Sequence, residues 1–267
     1  VSLAGVPQGK ITVPSAIWAI AHDREIVPAW ENLAGGLTFF LHGKGEDIYA
    51  KWMPVTGAID LGEESARLEW ARPHTPVPEV LEVGHDNEGS WLVTRAIDAK
   101  NAVAPEWIAE PEVAVRAIGV GLRQLHERLP REECPFSWSR ETRLASALSL
   151  IANRGVEREA LHELHTNLSD EEIVEILTSW STDDDLVVCH GDACAPNTLL
   201  DKSGLWCAHV DFGCLGVADR WADLSVASWS TQWNYGPGWE RILYDAYEIE
   251  PVEEKIRFYR LLWDVSV

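Results

Sequence analysis

Apolar residues along this chain follow two rhythms, and the change comes near residue 95. Upstream, the apolar runs are short and bounded by turn residues. Thr38-Phe39-Phe40-Leu41, the turn-rich Gly43-Lys44-Gly45-Glu46-Asp47 and Ile48-Tyr49-Ala50-Lys51-Trp52 predict two strands joined by a loop. A helix is expected over about Glu63 to Ala71. Pro76-Val77-Pro78 ends it, because a residue before proline is pushed out of the helical region. Another pair of strands follows, the second being Ser90-Trp91-Leu92-Val93-Thr94, rich in residues that suit a pleated sheet.

Downstream the helical period takes over. Val115, Ile118, Leu122 and Leu125 recur at spacings of three and four, which predicts an apolar stripe on a helix from about Glu112 to Leu129. Leu144, Leu148 and Ile151 mark a second helix. Ser169 followed by Glu172 is a capping-box pattern, opening a third through Ile173, Ile176 and Leu177. From about Asp223 three more helices are expected, with Trp229, Trp233, Trp239, Leu243, Tyr247, Phe258, Leu261 and Leu262 in the core. The fold class is therefore α+β: a small strand-rich part, residues 1–95, and a larger, mainly helical part, residues 96–267.

One island breaks the helical half. Leu186-Val187-Val188-Cys189 reads as a buried strand leading into His190-Gly191-Asp192-Ala193-Cys194-Ala195-Pro196-Asn197, and Thr198-Leu199-Leu200-Asp201 follows. A turn at Lys202-Ser203-Gly204 then leads through Leu205-Trp206-Cys207-Ala208-His209-Val210 to Asp211-Phe212-Gly213. The offset from Asp192 to Asn197 is the one a phosphotransferring catalytic loop requires, and the Asp-Phe-Gly at Asp211 supplies a second metal ligand. Asp192 faces a substrate hydroxyl in such a loop, while Asn197 and Asp211 offer the few hard oxygen atoms that magnesium accepts. Lys51, at the end of an apolar strand, is placed to contact donor phosphates. Its partner is expected on the next helix, with Glu64 preferred over Glu63.

Composition narrows the partners. Across 267 residues, 46% hydrophobic and 24% charged usage describes an ordinary globular chain. The 43 Asp and Glu against 22 Lys and Arg leave a net charge of −21, which repels nucleic acid and anionic membranes and favours a cationic ligand. Five cysteines are an odd count without the spacing of a secreted framework. Together with the lack of a leader or an apolar span, this predicts a cytoplasmic protein with no obligate protein partner. The cluster of Cys189, His190, Cys194, Cys207, His209 and Cys214 contains no Cys-x-x-Cys pair, so buried thiols are preferred over structural zinc.

The segments Trp91-Leu92-Val93-Thr94, Leu122-Arg123-Gln124-Leu125-His126, Cys134-Pro135-Phe136, Cys189-His190-Gly191-Asp192, Val210-Asp211-Phe212-Gly213 and Leu215-Gly216-Val217-Ala218-Asp219-Arg220 occur in that order. Together they resemble the aminoglycoside phosphotransferases, most closely the 3'-phosphotransferase group, over about Asn32 to Asp264. The resemblance implies a bilobal protein-kinase-like fold with a hinge at about residues 94–100. It also implies ATP with Mg2+, and transfer of the γ-phosphate to a hydroxyl of a cationic antibiotic. Carried over, Asp192 is the catalytic carboxylate, Lys51 and Glu64 serve the nucleotide, and Asn197 and Asp211 bind the metal. The loop from Leu33 to Thr38, with Gly35 and Gly36, lies over the phosphates; Thr94 to Ala96 meets the adenine; Asp223 braces the catalytic loop. Glu157, Glu159 and Asp264 are the implied substrate carboxylates.

Two stretches depart from the family pattern. Asp98-Ala99-Lys100-Asn101-Ala102 stands where a Pro-Gly-Xaa-Ala turn is common, and the tail keeps one carboxylate, Asp264, in place of an Asp-Glu-Phe-Phe ending. A streptomycin-like 3''-hydroxyl, a basic peptide antibiotic or an amine alcohol therefore remain alternative acceptors. A protein kinase is disfavoured, because Gly191 replaces the arginine that reads a phosphorylated activation loop. A silent nucleotide-binding module is disfavoured by the joint presence of Lys51, Asp192, Asn197 and Asp211.

Overall fold

A computed structural model describes residues 5–7, 9–32, 34–56, 60–159, 161–180 and 183–266. They fall into two compact units, one ending at Asp98 and the other beginning at Ala99.

In the first unit, α1 (Ser15–Ala21), β1 (Glu25–Glu31), β2 (Leu37–His42), β3 (Ile48–Pro54), α2 (Leu61–Ala71), β4 (Val80–His85) and β5 (Gly89–Arg95) follow in order. The strands form one antiparallel sheet in the order β1-β2-β3-β5-β4. Alternation along each strand separates its two faces. Phe39, Leu41, Ile48, Ala50 and Val93 pack with Ile17 and Ala21 of α1 into a buried core. The opposite face carries Thr38, Phe40, Tyr49, Lys51, Leu92 and Thr94, with Thr38 directly across from Lys51 and Tyr49 across from Thr94. The edge strand β1 escapes a pattern search because Pro28 interrupts it, and the register slips between Pro28 and Trp30. Helix α2 starts two residues before the expected Glu63, because the Asp60 side chain accepts from Gly62 N and Glu63 N and so caps it earlier.

The second unit contains β6 (Lys100–Asn101), α3 (Pro105–Ile108), α4 (Pro111–Arg128), α5 (Arg140–Arg154), α6 (Asp170–Thr178), β7 (Leu186–Cys189), β8 (Thr198–Leu200), β9 (Trp206–His209), β10 (Gly216–Asp219), α7 (Trp221–Tyr235), α8 (Glu240–Tyr247) and α9 (Glu253–Asp264). The predicted α4 stripe is buried at all four positions. Gly119 lets α8 approach it closely: a Cβ there would lie 2.5 Å from the Leu243 carbonyl oxygen. The capping box of α6 is present in both directions.

Several packing expectations are corrected. In α5 the buried residues are Arg143 and Ala147, with Leu144, Leu148 and Ile151 half-buried beside them; Arg143 lies over the Trp138 ring at 4.9 Å. Ile176 turns outward while Ile173 and Leu177 fill the core. Helix α7 is buried from Trp221 through Thr231 and emerges afterwards, so Trp233 is 42% exposed; Trp239 is half-buried. The acidic triplet Asp183-Asp184-Asp185 is pinned rather than simply solvated: the Asp183 carbonyl accepts from Lys255 at 2.7 Å, Asp184 pairs with Arg140 at 3.2 Å, and Asp185 pairs with Arg220 at 2.6 Å. These contacts tether the chain just before it enters β7.

Candidate active site

Strand β7, paired antiparallel with β10, delivers the loop His190–Asn197 to the first buried turns of α7. Asp223 anchors one end of that loop: its carboxylate accepts from His190 N at 2.6 Å and from Gly191 N at 2.9 Å. Ser230, seven residues along and so on the same helical face, anchors the other end, its Oγ accepting from Ala195 N at 2.9 Å. Gly191 has φ +87°, and a Cβ there would sit 2.2 Å from the Cys214 carbonyl oxygen, so both conformation and space demand glycine.

Side chains complete the loop. His190 Nε2 donates to the Val210 carbonyl at 2.9 Å, leaving Nδ1 to accept from Asp192 N at 3.3 Å. The Asn197 amide nitrogen donates to the Asp192 carbonyl at 2.9 Å and to its carboxylate at 3.0 Å. With its nitrogen so engaged, the Asn197 amide keeps its oxygen as an acceptor. Asp223 is held in turn by His126, whose Nε2 donates at 3.0 Å; its Nδ1 accepts from the Tyr247 hydroxyl at 2.8 Å, and Tyr247 accepts from Arg220 at 3.0 Å. Burial alone would raise the Asp223 carboxyl, yet His126 and the loop amides hold it below the usual carboxylate value.

Asp211 joins this loop through the adjacent Val210 N, which donates to the Asn197 carbonyl at 3.0 Å. Its backbone has φ +68°, a strained conformation for a residue with a Cβ and one that clusters at functional sites. Burial first, and the Asp211 carboxylate second, push the half-buried Asp192 carboxyl above its usual value. Two carboxylates that repel each other, next to an amide oxygen, form a hard-oxygen donor set that fits a divalent cation. His126, Cys189 and Asp223 also lie within 4.8 Å of one another, but Asp223 is occupied by the loop amides and the Cys189 thiol donates to the Asp219 carbonyl at 3.3 Å. That trio braces the loop.

In the first unit, Lys51 Nζ lies 2.6 Å from Glu64 Oε1, and the Glu64 side chain is 3% exposed. Glu63, the second choice from sequence, instead pairs with Arg67 at the helix surface, 2.7 Å away. The glycine turn between β1 and β2 is shaped by Asn32, whose Oδ1 accepts from Ala34 N at 3.0 Å and Gly36 N at 2.7 Å. Gly35 has φ +78°; Leu33, part of the expected phosphate loop, lies outside the described residues. Thr38 and Thr94 share the sheet face of Lys51, and Ala96 N donates to the Asp47 carbonyl at 3.0 Å.

Of the three expected substrate carboxylates, two come together. Glu157 and Asp264 line one pocket with Arg154 and Leu161. Glu159 is exposed and stands outside that lining. The Asp264 side chain is 6% exposed and already engaged, accepting from His162 N at 3.0 Å and facing His165 Nδ1 at 2.8 Å. Sequence reasoning gave no site role to Asn32, Ser230 or Tyr247, the last expected only in the core, where it is indeed buried. Only Ser230 carried a signal, its seven-residue offset from Asp223.

The chain matches the phosphotransferase enzyme family over residues 28–259. It is 37% identical over 250 residues to an aminoglycoside 3'-phosphotransferase of Streptomyces fradiae, covering 87% of this chain and 91% of that one. A solved aminoglycoside-3'-phosphotransferase of type VIII superposes with a TM-score of 0.79 at 31% identity, over 94% of this chain and 96% of its own. An aminoglycoside phosphotransferase of Streptomyces rimosus, solved in complex with ADP and streptomycin, superposes with a TM-score of 0.74 at 26% identity, over the same shares. The α+β, protein-kinase-like fold expected from sequence is borne out across nearly the whole chain. With relatives this similar over this much of its length, the chain belongs to the phosphotransferase enzyme family and, within it, to the aminoglycoside phosphotransferases.

Proposed function

We propose that this enzyme transfers the γ-phosphate of ATP to a hydroxyl of an aminoglycoside antibiotic, the 3'-hydroxyl in the leading reading, and so confers resistance. The observation that carries this is the loop in which Asn197 fixes the Asp192 carboxylate beside Asp211, in a chain similar to 3'-phosphotransferases over most of its length. Asp192 orients the acceptor hydroxyl and takes its proton as the O–P bond forms. Lys51, held by Glu64, contacts the donor phosphates, and the backbone around Thr94 to Ala96 meets the adenine. Asn197 and Asp211 would hold Mg2+, which supplies neutralisation of the charge on the transferring phosphoryl group. The net charge of −21 supports a cationic acceptor.

The likeness to the Streptomyces rimosus enzyme, solved with streptomycin, supports a second reading in which a streptomycin hydroxyl is the acceptor. Among the described residues no helix is long and apolar enough to cross a membrane, and the need for ATP supports a cytoplasmic setting.

Incubating the purified chain with ATP and a panel of aminoglycosides, and locating the phosphate on each product by NMR, tests both readings. Phosphorylation at the 3'-position of neomycin or kanamycin supports the first, and streptomycin alone supports the second. Turnover of neither class overturns both. Chelation with EDTA should abolish turnover and added Mg2+ restore it. Glu64→Ala should raise the KM for ATP by about tenfold, since Lys51 loses a buried, charge-assisted partner. Glu63→Ala should leave it within about twofold, as expected of a surface pair; equal effects would sink the assignment of Glu64.

A further inference from the structure

Helix α7 anchors both ends of the Asp192 loop, through Asp223 and Ser230. Its last turn carries an aromatic group that this bracing does not use. Trp229, fully buried, is the hub: the His162 ring lies at 4.4 Å, Trp233 at 5.1 Å, Trp263 of α9 at 6.3 Å, and the Arg260 guanidinium over the indole at 5.6 Å. Trp233 and Trp263 form the outer layer, with ring centroids 5.5 Å apart. Trp233 leaves 42% of its surface to solvent and Trp263 is half-buried. Trp233 follows Ser230 by three residues, about 4.5 Å further along the helix axis.

Two adjacent indoles that keep part of their surface in water forgo part of their burial energy, which makes such a face a candidate for a ligand. The pair is far smaller than the ~1,200 Å² at which stable protein interfaces begin, so a small molecule is the fitting occupant. Charge gives its chemistry. Asp264, the carboxylate nearest this group in sequence, is buried against His165 and the His162 amide, while the chain as a whole carries −21. The field attracts a polycation, and the local surface offers it two part-exposed indoles. A saturated ring with C–H bonds on one face stacks on indole, and its ammonium substituents gain cation–π attraction.

We propose that Trp233 and Trp263 form a stacking platform for an aminosugar or aminocyclitol ring of the acceptor, making Trp233 a specificity-determining residue. The proposal rests on the aminoglycoside reading above.

The test measures KM for neomycin, streptomycin and ATP, and binding of both antibiotics without ATP, for the wild type and for Trp233→Ala, Trp233→Phe, Trp263→Ala and Trp18→Ala. Thermal denaturation checks that each variant is folded. Trp233→Ala should raise the acceptor KM and Kd about tenfold while kcat and the ATP KM stay within about twofold. Trp233→Phe should recover most of the loss, and Trp263→Ala should weaken acceptor binding in the same direction. Trp18→Ala, at an indole 61% exposed in the other unit, should change none of the three KM values. The ratio of wild-type to Trp233→Ala affinity should persist at about 0.5 M salt, where exposed charge interactions are screened. Folded Trp233→Ala and Trp263→Ala proteins with wild-type acceptor affinity would overturn the platform alone. A wild type that binds neither antibiotic would overturn the acceptor reading, and the platform with it.

Discussion

Replacing Asp192 with alanine should lower kcat by about 10²–10⁴-fold, the range set by removing a positioned acid–base group, while ATP binding stays within a few fold. The variant loses the carboxylate that Asn197 holds and that is proposed to receive the hydroxyl, and it also relieves the repulsion from Asp211. Nucleotide affinity therefore has no cause to fall. Asp192→Asn sharpens the experiment, because it keeps the shape and the bond from Asn197 but cannot take a proton. It should be nearly as slow as alanine. Activity within tenfold of wild type in either variant would show that orienting the hydroxyl and accepting its proton reside elsewhere. Steady-state kinetics with a titration of ADP separates turnover from nucleotide binding.

Asp223→Ala should be the most damaging substitution for stability. It strands the His190 and Gly191 amides and the Nε2 of a buried His126, all of which now donate to one carboxylate. Breaking a buried charged hydrogen-bond network of this kind typically costs about 3–5 kcal/mol. In a chain of this size that lowers the unfolding midpoint by about 10 °C. Asp223→Asn should fall between, because one amide oxygen can still accept but the charge is gone. Turnover should drop with stability in both, since Gly191 N and His190 N position Asp192. A midpoint within about 2 °C of wild type for Asp223→Ala would mean that the loop is held by its own turn chemistry and by Ser230. Differential scanning calorimetry reads the outcome.

How far the molecule could be read beforehand depended on how local each signal was. The α4 stripe, the α6 capping box and the two strands around Gly43 to Asp47 are set by residues within a few positions of each other, and they formed as expected. Asp192, Asn197 and Asp211 stood out because their spacing is the one phosphoryl transfer calls for, and the structure brings Asn197 onto Asp192 and ties Val210, beside Asp211, to the same loop. What escaped depended on contacts that no repeating period announces. Arg143 is buried because Trp138 offers it an indole face, and nothing in the period of α5 announces that. The edge strand β1 was hidden by Pro28, tolerable only where no neighbour needs its amide. Asp264 reads as a spare carboxylate in the tail until His162 and His165 arrive from about a hundred residues away. The choice between Glu63 and Glu64 turned on helix phase, which one residue of capping by Asp60 decides.

The glycine at position 191 bears on control of the enzyme. In protein kinases an arginine beside the catalytic aspartate is the contact through which phosphorylation of a distant segment switches the site on. Here any side chain at that position would collide with the Cys214 carbonyl and adopt a backbone conformation suited to glycine. A single substitution cannot install such a receiver without moving the segment that carries Asp211. Phosphorylation of a distant segment therefore finds no arginine at this position through which to act.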